Sequence, residues 1–259
     1  MRKSIFLIIS IAVVALIIKI VIPSNHPEKE IVAGDSDTST PTQAESYLLP
    51  DLQVVFPEDL YIQINPQTKQ KEIRFETTTV NLGKGPLVMV SSFDESENKT
   101  RVTQQLQKED GNKDDKEIGT FIFHPGHNHW HFENFSEMEL FSLNDDKSPD
   151  VQLKTTGKIT SCIHDLYRLP SPPPGSPETG PYAQCGGLTQ GISVGWADTY
   201  RADLPGQQLD IEGIEDGQYV LRLSVDPINL IMESDDGNNS VLGLVEIRGN
   251  TIERLPDSF

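Results

Sequence analysis

Hydrophobic and polar positions alternate along the chain in short runs separated by turn residues, the pattern of an all-β domain. The clearest run is Tyr219–Asp226. There Tyr219, Leu221, Leu223 and Val225 share one face and Arg222, Ser224 and Asp226 the other. Asp216-Gly217 just before it is a turn signal. A second strand, Val241–Ile247, follows the turn-like Asp235-Asp236-Gly237-Asn238-Asn239, and Leu87–Val90 and Phe121–Phe123 predict two more. Residues 94–116 are highly charged and carry no apolar rhythm, so they read as a long exposed loop or weak helix. No long amphipathic helix and no internal repeat is visible. The expected fold is a β-sandwich with long loops.

The N-terminus breaks this pattern. Ile5–Ile22 is apolar except for Ser10 and Lys19, and Arg2 and Lys3 precede it. Residues 1–22 therefore predict a hydrophobic helix acting as a signal peptide or as a membrane anchor just long enough to span a bilayer. No small-x-small site follows at once and no Cys offers a lipid attachment point, which favours the anchor slightly. In both cases the rest of the chain lies outside the cytoplasm. Residues 23–47 are polar and rich in Ser, Thr, Pro, Asp and Glu, a flexible linker. Order is expected to begin near Tyr47, with one folded domain over 48–259.

Composition narrows the function classes. A net charge of −18 disfavours nucleic acid as a partner, because phosphate binding needs Lys and Arg clusters. The acidity is compatible with cationic substrates such as amines, and equally with solubility alone. Cys162 and Cys185 are the 2 cysteines. In an oxidising compartment such a pair forms one disulfide, here across a segment holding Pro172, Pro173, Pro174, Gly175, Pro177, Gly180 and Pro181. A reactive dithiol is the alternative, which the spacing, far from Cys-x-x-Cys, disfavours.

The strongest chemical signal is Phe-His-Pro-Gly-His-Asn-His-Trp-His-Phe, which contains His124, His127, His129 and His131 of the 6 histidines. Alternate residues of a strand share a face, so His127, His129 and His131 would project together and could grip one metal ion, with Trp130 and Phe132 on the opposite face. Pro125 and Gly126 bend the chain after His124, which makes it the weakest ligand candidate of the four. Three imidazoles without a nearby thiolate suit Cu(II) or Zn(II), and the pattern alone does not separate them.

The same motif, followed by the aromatic-rich Phe132-Glu133-Asn134-Phe135-Ser136, resembles the copper motif of the lysyl oxidase family. Further segments resemble that family in the same order from about residue 48 to 248: Pro50-Asp51-Leu52 with Tyr61-Ile62-Gln63; Leu188–Gly195 followed by Asp198-Thr199-Tyr200-Arg201-Ala202-Asp203; and Leu221–Asn239 with Glu233-Ser234-Asp235. The resemblance implies copper on His127, His129 and His131. It also implies a lysine tyrosylquinone cofactor made from Lys158, four residues before Cys162, and Tyr200. Lastly, it implies a calcium ion on Asp51, the Leu52 carbonyl oxygen, Glu233, Asp235, Asn238 and Asn239, all hard oxygen donors. An Asx-rich turn that needs no ion is the alternative reading of the last segment.

The implied activity is copper-dependent oxidative deamination of primary amines, either peptidyl lysine or small amines, to aldehydes, with O₂ consumed and ammonia and H₂O₂ released. His124, Asp198 and His164 are the candidates for a general base. Two other readings remain: an extracytoplasmic copper-binding module without a quinone cofactor, and a surface adhesion module. The chain also departs from the family's pattern. Gly126 stands where a cysteine is usual, Cys162 and Cys185 lack their usual partners and must pair with each other, and the proline-rich segment between them has no counterpart. Substrate preference is the property this puts in question.

Overall fold

The structure is a computed structural model that describes residues 47–95, 97–125, 128–157, 159–185 and 188–256. The expected hydrophobic helix at 1–22 and nearly all of the linker lie outside these residues. So do two proposed site residues, His127 and Lys158. Among the described residues no helix is long and apolar enough to cross a membrane.

The described chain is all-β, relieved only by a 3₁₀ turn at Asp236–Asn238. Its main sheet has 11 strands. The path runs Thr189–Ile192, Leu87–Asp94, Lys99–Lys108, Lys113–His124, His129–Leu143, Gly217–Val225, Ser240–Arg248, Thr251–Arg254. Tyr47–Leu48 pairs with Lys99–Lys108, while Pro149–Thr155 and Ile159–Ser161 both pair with His129–Leu143. A 4-stranded sheet runs Tyr167–Arg168, Trp196–Tyr200, Thr77–Asn81, Leu52–Val55, and a 3-stranded sheet runs Gln208–Asp210, Lys71–Phe75, Leu60–Ile64. The smaller sheets touch the large one where Leu52–Val55 meets Gly217–Val225 and where Leu60–Ile64 meets Thr251–Arg254.

One core lies between these layers. Leu52, Ile73, Phe75, Leu87, Met89, Phe132, Met138, Leu140, Ile163, Ile192 and Leu221 are fully buried in it. At about 1.5–3 kcal/mol for each large apolar side chain removed from water, this cluster is the main favourable term in the fold.

Two expectations change. Residues 94–116 are not a loop or a weak helix: Lys99–Lys108 and the start of Lys113–His124 form a long hairpin. Every second residue there is buried, but the buried set is Thr100, Val102, Gln104 and Leu106, half of it polar. Gln104 is buried because its amide donates to the Met232 carbonyl and accepts from the Met232 N–H, both at 2.8 Å. The polar members hide the period-two signal. The Tyr219 strand also starts earlier and ends sooner than expected, at Gly217–Val225. Asp226 leaves it at φ 43°, and its carboxylate accepts the N–H groups of Leu230 and Ile231.

Candidate active site

The histidine motif folds as a tight hairpin. Asn128, at φ 56°, donates its N–H to the His124 carbonyl, and the ladder then pairs His124 with His129, Phe123 with Trp130 and Ile122 with His131. Directly opposed residues share a face, so the register brings His124 onto the same side as His129 and His131. The His124 ring stacks on His131 at 4.2 Å between centroids. The Nε2 atoms of His129 and His131 approach to 2.8 Å. Two imidazoles bound side by side to one ion, with metal–nitrogen bonds of about 2.0 Å, have nitrogens roughly that far apart. His131 is 3% exposed. Its Nδ1 lies 3.3 Å from the Thr160 hydroxyl, which is also 3.3 Å from His124 Nε2. The donor set and its spacing fit a borderline divalent ion such as Cu(II).

Tyr200 ends the strand Trp196–Tyr200 beside this hairpin, its ring edge-on to His131 at 6.4 Å. The phenol is clamped at both lone pair and proton: it accepts the Cys162 N–H at 2.6 Å and donates to the Cys162 carbonyl at 3.1 Å. Burial, and then the nearby Asp198 charge, hold this phenol well above its ordinary pKa. Cys162 is joined to Cys185 by a disulfide. A ring nitrogen of His129 lies within 4.8 Å of both sulfurs, which are bonded to each other and so are not thiolate donors. Tyr200, His129, His164, Cys185, Thr199 and Leu204 together line a cavity of about 390 Å³.

The proline-rich segment is irregular yet well anchored. Asp165, buried, accepts the Ser193 N–H and hydroxyl and the Tyr182 N–H. Leu166 and Leu169 donate to the Ala197 and Gly195 carbonyls, and Trp196 Nε1 donates to Pro177. Gly195 sits at φ 73°, where a Cβ would strike Ser176 and Pro172, so only glycine fits that contact. These bonds fix Cys185 and the cavity rim to the Tyr200 strand.

A second cluster gathers the oxygen donors named from the sequence. Glu233 accepts the Leu52 N–H at 2.7 Å and the Asn239 amide at 2.7 Å. Asp51 accepts the Asn238 amide at 2.9 Å, and Asp235 accepts the Gly237 N–H and the Asn238 amide. Oδ1 of Asn238 and Oδ1 of Asn239 are buried without a hydrogen-bond partner among the described residues. Burial, only partly offset by the Leu52 and Asn239 donors, pushes the Glu233 carboxyl up to about 7. Unpaired amide oxygens beside crowded carboxylates are what a hard cation would satisfy.

The lysyl oxidase family model matches residues 99–254. This chain belongs to the lysyl oxidase family. It is 34% identical over 122 residues to protein-lysine 6-oxidase of Gallus gallus, covering 46% of this chain and 26% of that protein. It is equally similar to protein-lysine 6-oxidase of Sus scrofa, of which it covers 44%. To lysyl oxidase homolog 4 of Mus musculus it is 32% identical over 123 residues, covering 47% of this chain and 15% of that protein. The chain thus spans less than half the length of these relatives.

In this member of the family, His129 and Tyr200 line one cavity with His131 buried against both, and Asp51, Leu52, Glu233, Asp235, Asn238 and Asn239 gather at another point. Sequence reasoning ranked His124 last among the histidines. The hairpin register nonetheless stacks it in the imidazole cluster. Thr160, Gln190 and Asp165 were missed. Gln190, fully buried, accepts the Ile163 N–H and donates to the Trp130 carbonyl, tying the histidine strand to the cavity wall. A buried Gln or Thr in a strand gives no periodic signal; only its partners reveal it.

Proposed function

We propose that this lysyl oxidase is a copper-dependent amine oxidase acting on primary amines, with copper held by His127, His129 and His131 and a lysine tyrosylquinone built from Lys158 and Tyr200. The overall reaction converts RCH₂NH₂, O₂ and H₂O to RCHO, NH₃ and H₂O₂. The observation that carries the reading is one juxtaposition: His129, whose Nε2 lies 2.8 Å from that of His131, lines the same cavity as the buried, clamped phenol of Tyr200. The family relationship supports it at the level of amine oxidation.

The quinone supplies an electrophile and electron sink that the twenty side chains lack. The chain's own residues do the rest. The Cys162 backbone fixes the oxygen of Tyr200, and the strand Ile159–Ser161, which follows Lys158 directly, leads into that clamp. Thr160 orients two of the imidazoles, and the disulfide holds the cavity rim. A calcium ion on Asp51, Leu52, Glu233, Asp235, Asn238 and Asn239 is part of the same proposal, supported by the unpaired amide oxygens. An extracytoplasmic location, membrane-anchored or secreted, is also proposed, and the disulfide suits such a compartment.

The test is to load the full chain with copper under air. Reaction with phenylhydrazine, a Lys158–Tyr200 crosslink by peptide mass spectrometry, and H₂O₂ release from a primary amine are expected. Lys158→Arg and Tyr200→Phe should lose all three. A wild-type chain that binds copper but shows no crosslink would instead make it a copper-binding module.

A further inference from the structure

The cavity holds one titratable side chain that the reading above does not use. His164 lines it together with Tyr200 and His129. Its Nδ1 lies 3.2 Å from Oδ1 of Asp198, and Asp198 is only 2% exposed. Asp198 and Tyr200 are alternate residues of one strand, so a single backbone element sets both the carboxylate and the phenol. The ring also has a hydrogen bond to the Cys162 backbone. The contact with Asp198 is an ion pair when the ring is protonated, not an aligned hydrogen bond: Oδ1 of Asp198 is buried without a hydrogen-bond partner among the described residues, and Nδ1 also lies 3.5 Å from the Cys185 sulfur. A carboxylate on the Nδ1 side favours the tautomer with its proton there, which leaves Nε2 as the basic nitrogen. The other base candidates are engaged differently. Asp198 itself is buried behind the imidazole, and His124 is stacked on His131 with its Nε2 at Thr160.

We propose that His164 is the catalytic base that takes the proton from the amine-bearing carbon of the substrate, and that Asp198 is its positioning residue. This rests on the amine-oxidase reading. One C–H bond breaks, its proton passes to His164 Nε2, and its electron pair remains with the substrate joined to the cofactor, finally reducing O₂ in the overall reaction.

The charged surroundings are consistent with this role. Asp198, from its own strand, raises the imidazole pKa most, partly opposed by burial; Asp165, next in sequence, adds a smaller push in the same direction. Asp165 is otherwise committed to Ser193 and Tyr182. Tyr200 and His129 complete the ring of titratable groups around the cavity, and Cys185, 3.5 Å from Nδ1, is oxidised and does not titrate. The base is active when neutral, so turnover rises with pH through the raised His164 pKa. Burial raises the Asp198 carboxyl as well, opposed by the imidazole it faces, so the two groups titrate as a pair; replacing Asp198 by Asn removes the push on the imidazole and moves that limb to lower pH.

The experiment uses the full copper-loaded chain and its His164→Gln, His164→Asn and Asp198→Asn variants. Cofactor content is counted with phenylhydrazine. Anaerobic reduction by benzylamine and its α,α-dideuterated form is timed in stopped flow. Separately, the His164 ring is titrated by NMR in metal-free protein. The His164 variants should keep their cofactor while anaerobic reduction slows by about 10²–10⁴-fold, the range for loss of a general base. Asp198→Asn should lower both the NMR titration point and the acidic limb of the rate profile together. A His164 variant with full cofactor and an undiminished anaerobic rate overturns this proposal alone. Loss of cofactor in both His164 variants would assign the residue to cofactor assembly and also overturn it. Absence of cofactor from the wild type overturns this proposal and the amine-oxidase reading together.

Discussion

The molecule gathers two sets of metal-type donors by opposite means. The imidazoles come from one hairpin, in which His124, His129 and His131 are neighbours in sequence and in the ladder. The oxygen cluster joins Asp51 and Leu52 to Glu233–Asn239, across a separation of 181 residues at the Leu52–Glu233 bond. A hairpin closes a short loop and forms locally, whereas the oxygen cluster exists only once most of the domain is assembled. An ion bound at the first site would therefore serve chemistry on a preformed strand. An ion bound at the second would act as a latch between the beginning and the end of the domain, and its binding energy would appear as stability of the whole fold.

That contrast can be broken most sharply at the imidazoles. His131→Ala should abolish copper retention and hydrazine-reactive cofactor outright, while lowering the melting temperature of the metal-free protein only by the packing lost with one buried ring. Dialysis against a chelator followed by metal analysis checks the first part, and calorimetry the second. Survival of the cofactor in this variant would take the ion away from the hairpin.

The disulfide belongs to the same region but acts on stability. Converting Cys162 and Cys185 together to Ser opens a loop with a separation of 23 residues. A loop of that size is worth about 3 kcal/mol in urea unfolding.

At the latch, calcium at 100 times its dissociation constant should raise the melting temperature by about 5–10 °C, and Asp51→Asn with Glu233→Gln should erase the effect. Proton linkage gives a second reading of the same site. The Glu233 carboxyl is raised to about 7 in the folded, metal-free chain, above its ordinary value of 4.5. The folded state therefore holds a proton that the unfolded state has released, and metal-free stability falls as pH rises from about 4.5 to 7. Calcium favours the carboxylate and should flatten that decline. Melting curves at pH 5 and 7.5, with and without chelator, decide it, and a slope indifferent to calcium would remove Glu233 from the site.

The smallest effect tests orientation. Thr160→Val removes the hydroxyl shared by His131 and His124 and should weaken copper binding by about 10-fold, measured by chelator competition.

Much of this was legible in the chain. The all-β class followed from short alternating runs, and the disulfide from two cysteines flanking a proline-rich segment. The histidine motif declared a cluster of imidazoles through its period of two, and His129 and His131 do share a face. What stayed hidden were features with a polar or non-local origin. The hairpin at 99–124 was obscured because Thr100 and Gln104 occupy buried positions normally read from apolar residues. His124 was set aside because strand alternation says nothing about what lies across a turn.

The sequence by itself determined which donors exist and which of them share a strand face, because side-chain alternation is a local property of the extended backbone. Only the tertiary structure decided that His124 stacks on His131, that the Cys162 backbone clamps Tyr200, and that Asp198 stands behind His164. Each of these depends on register and on contacts between distant segments, which packing of the common core selects and no local pattern encodes.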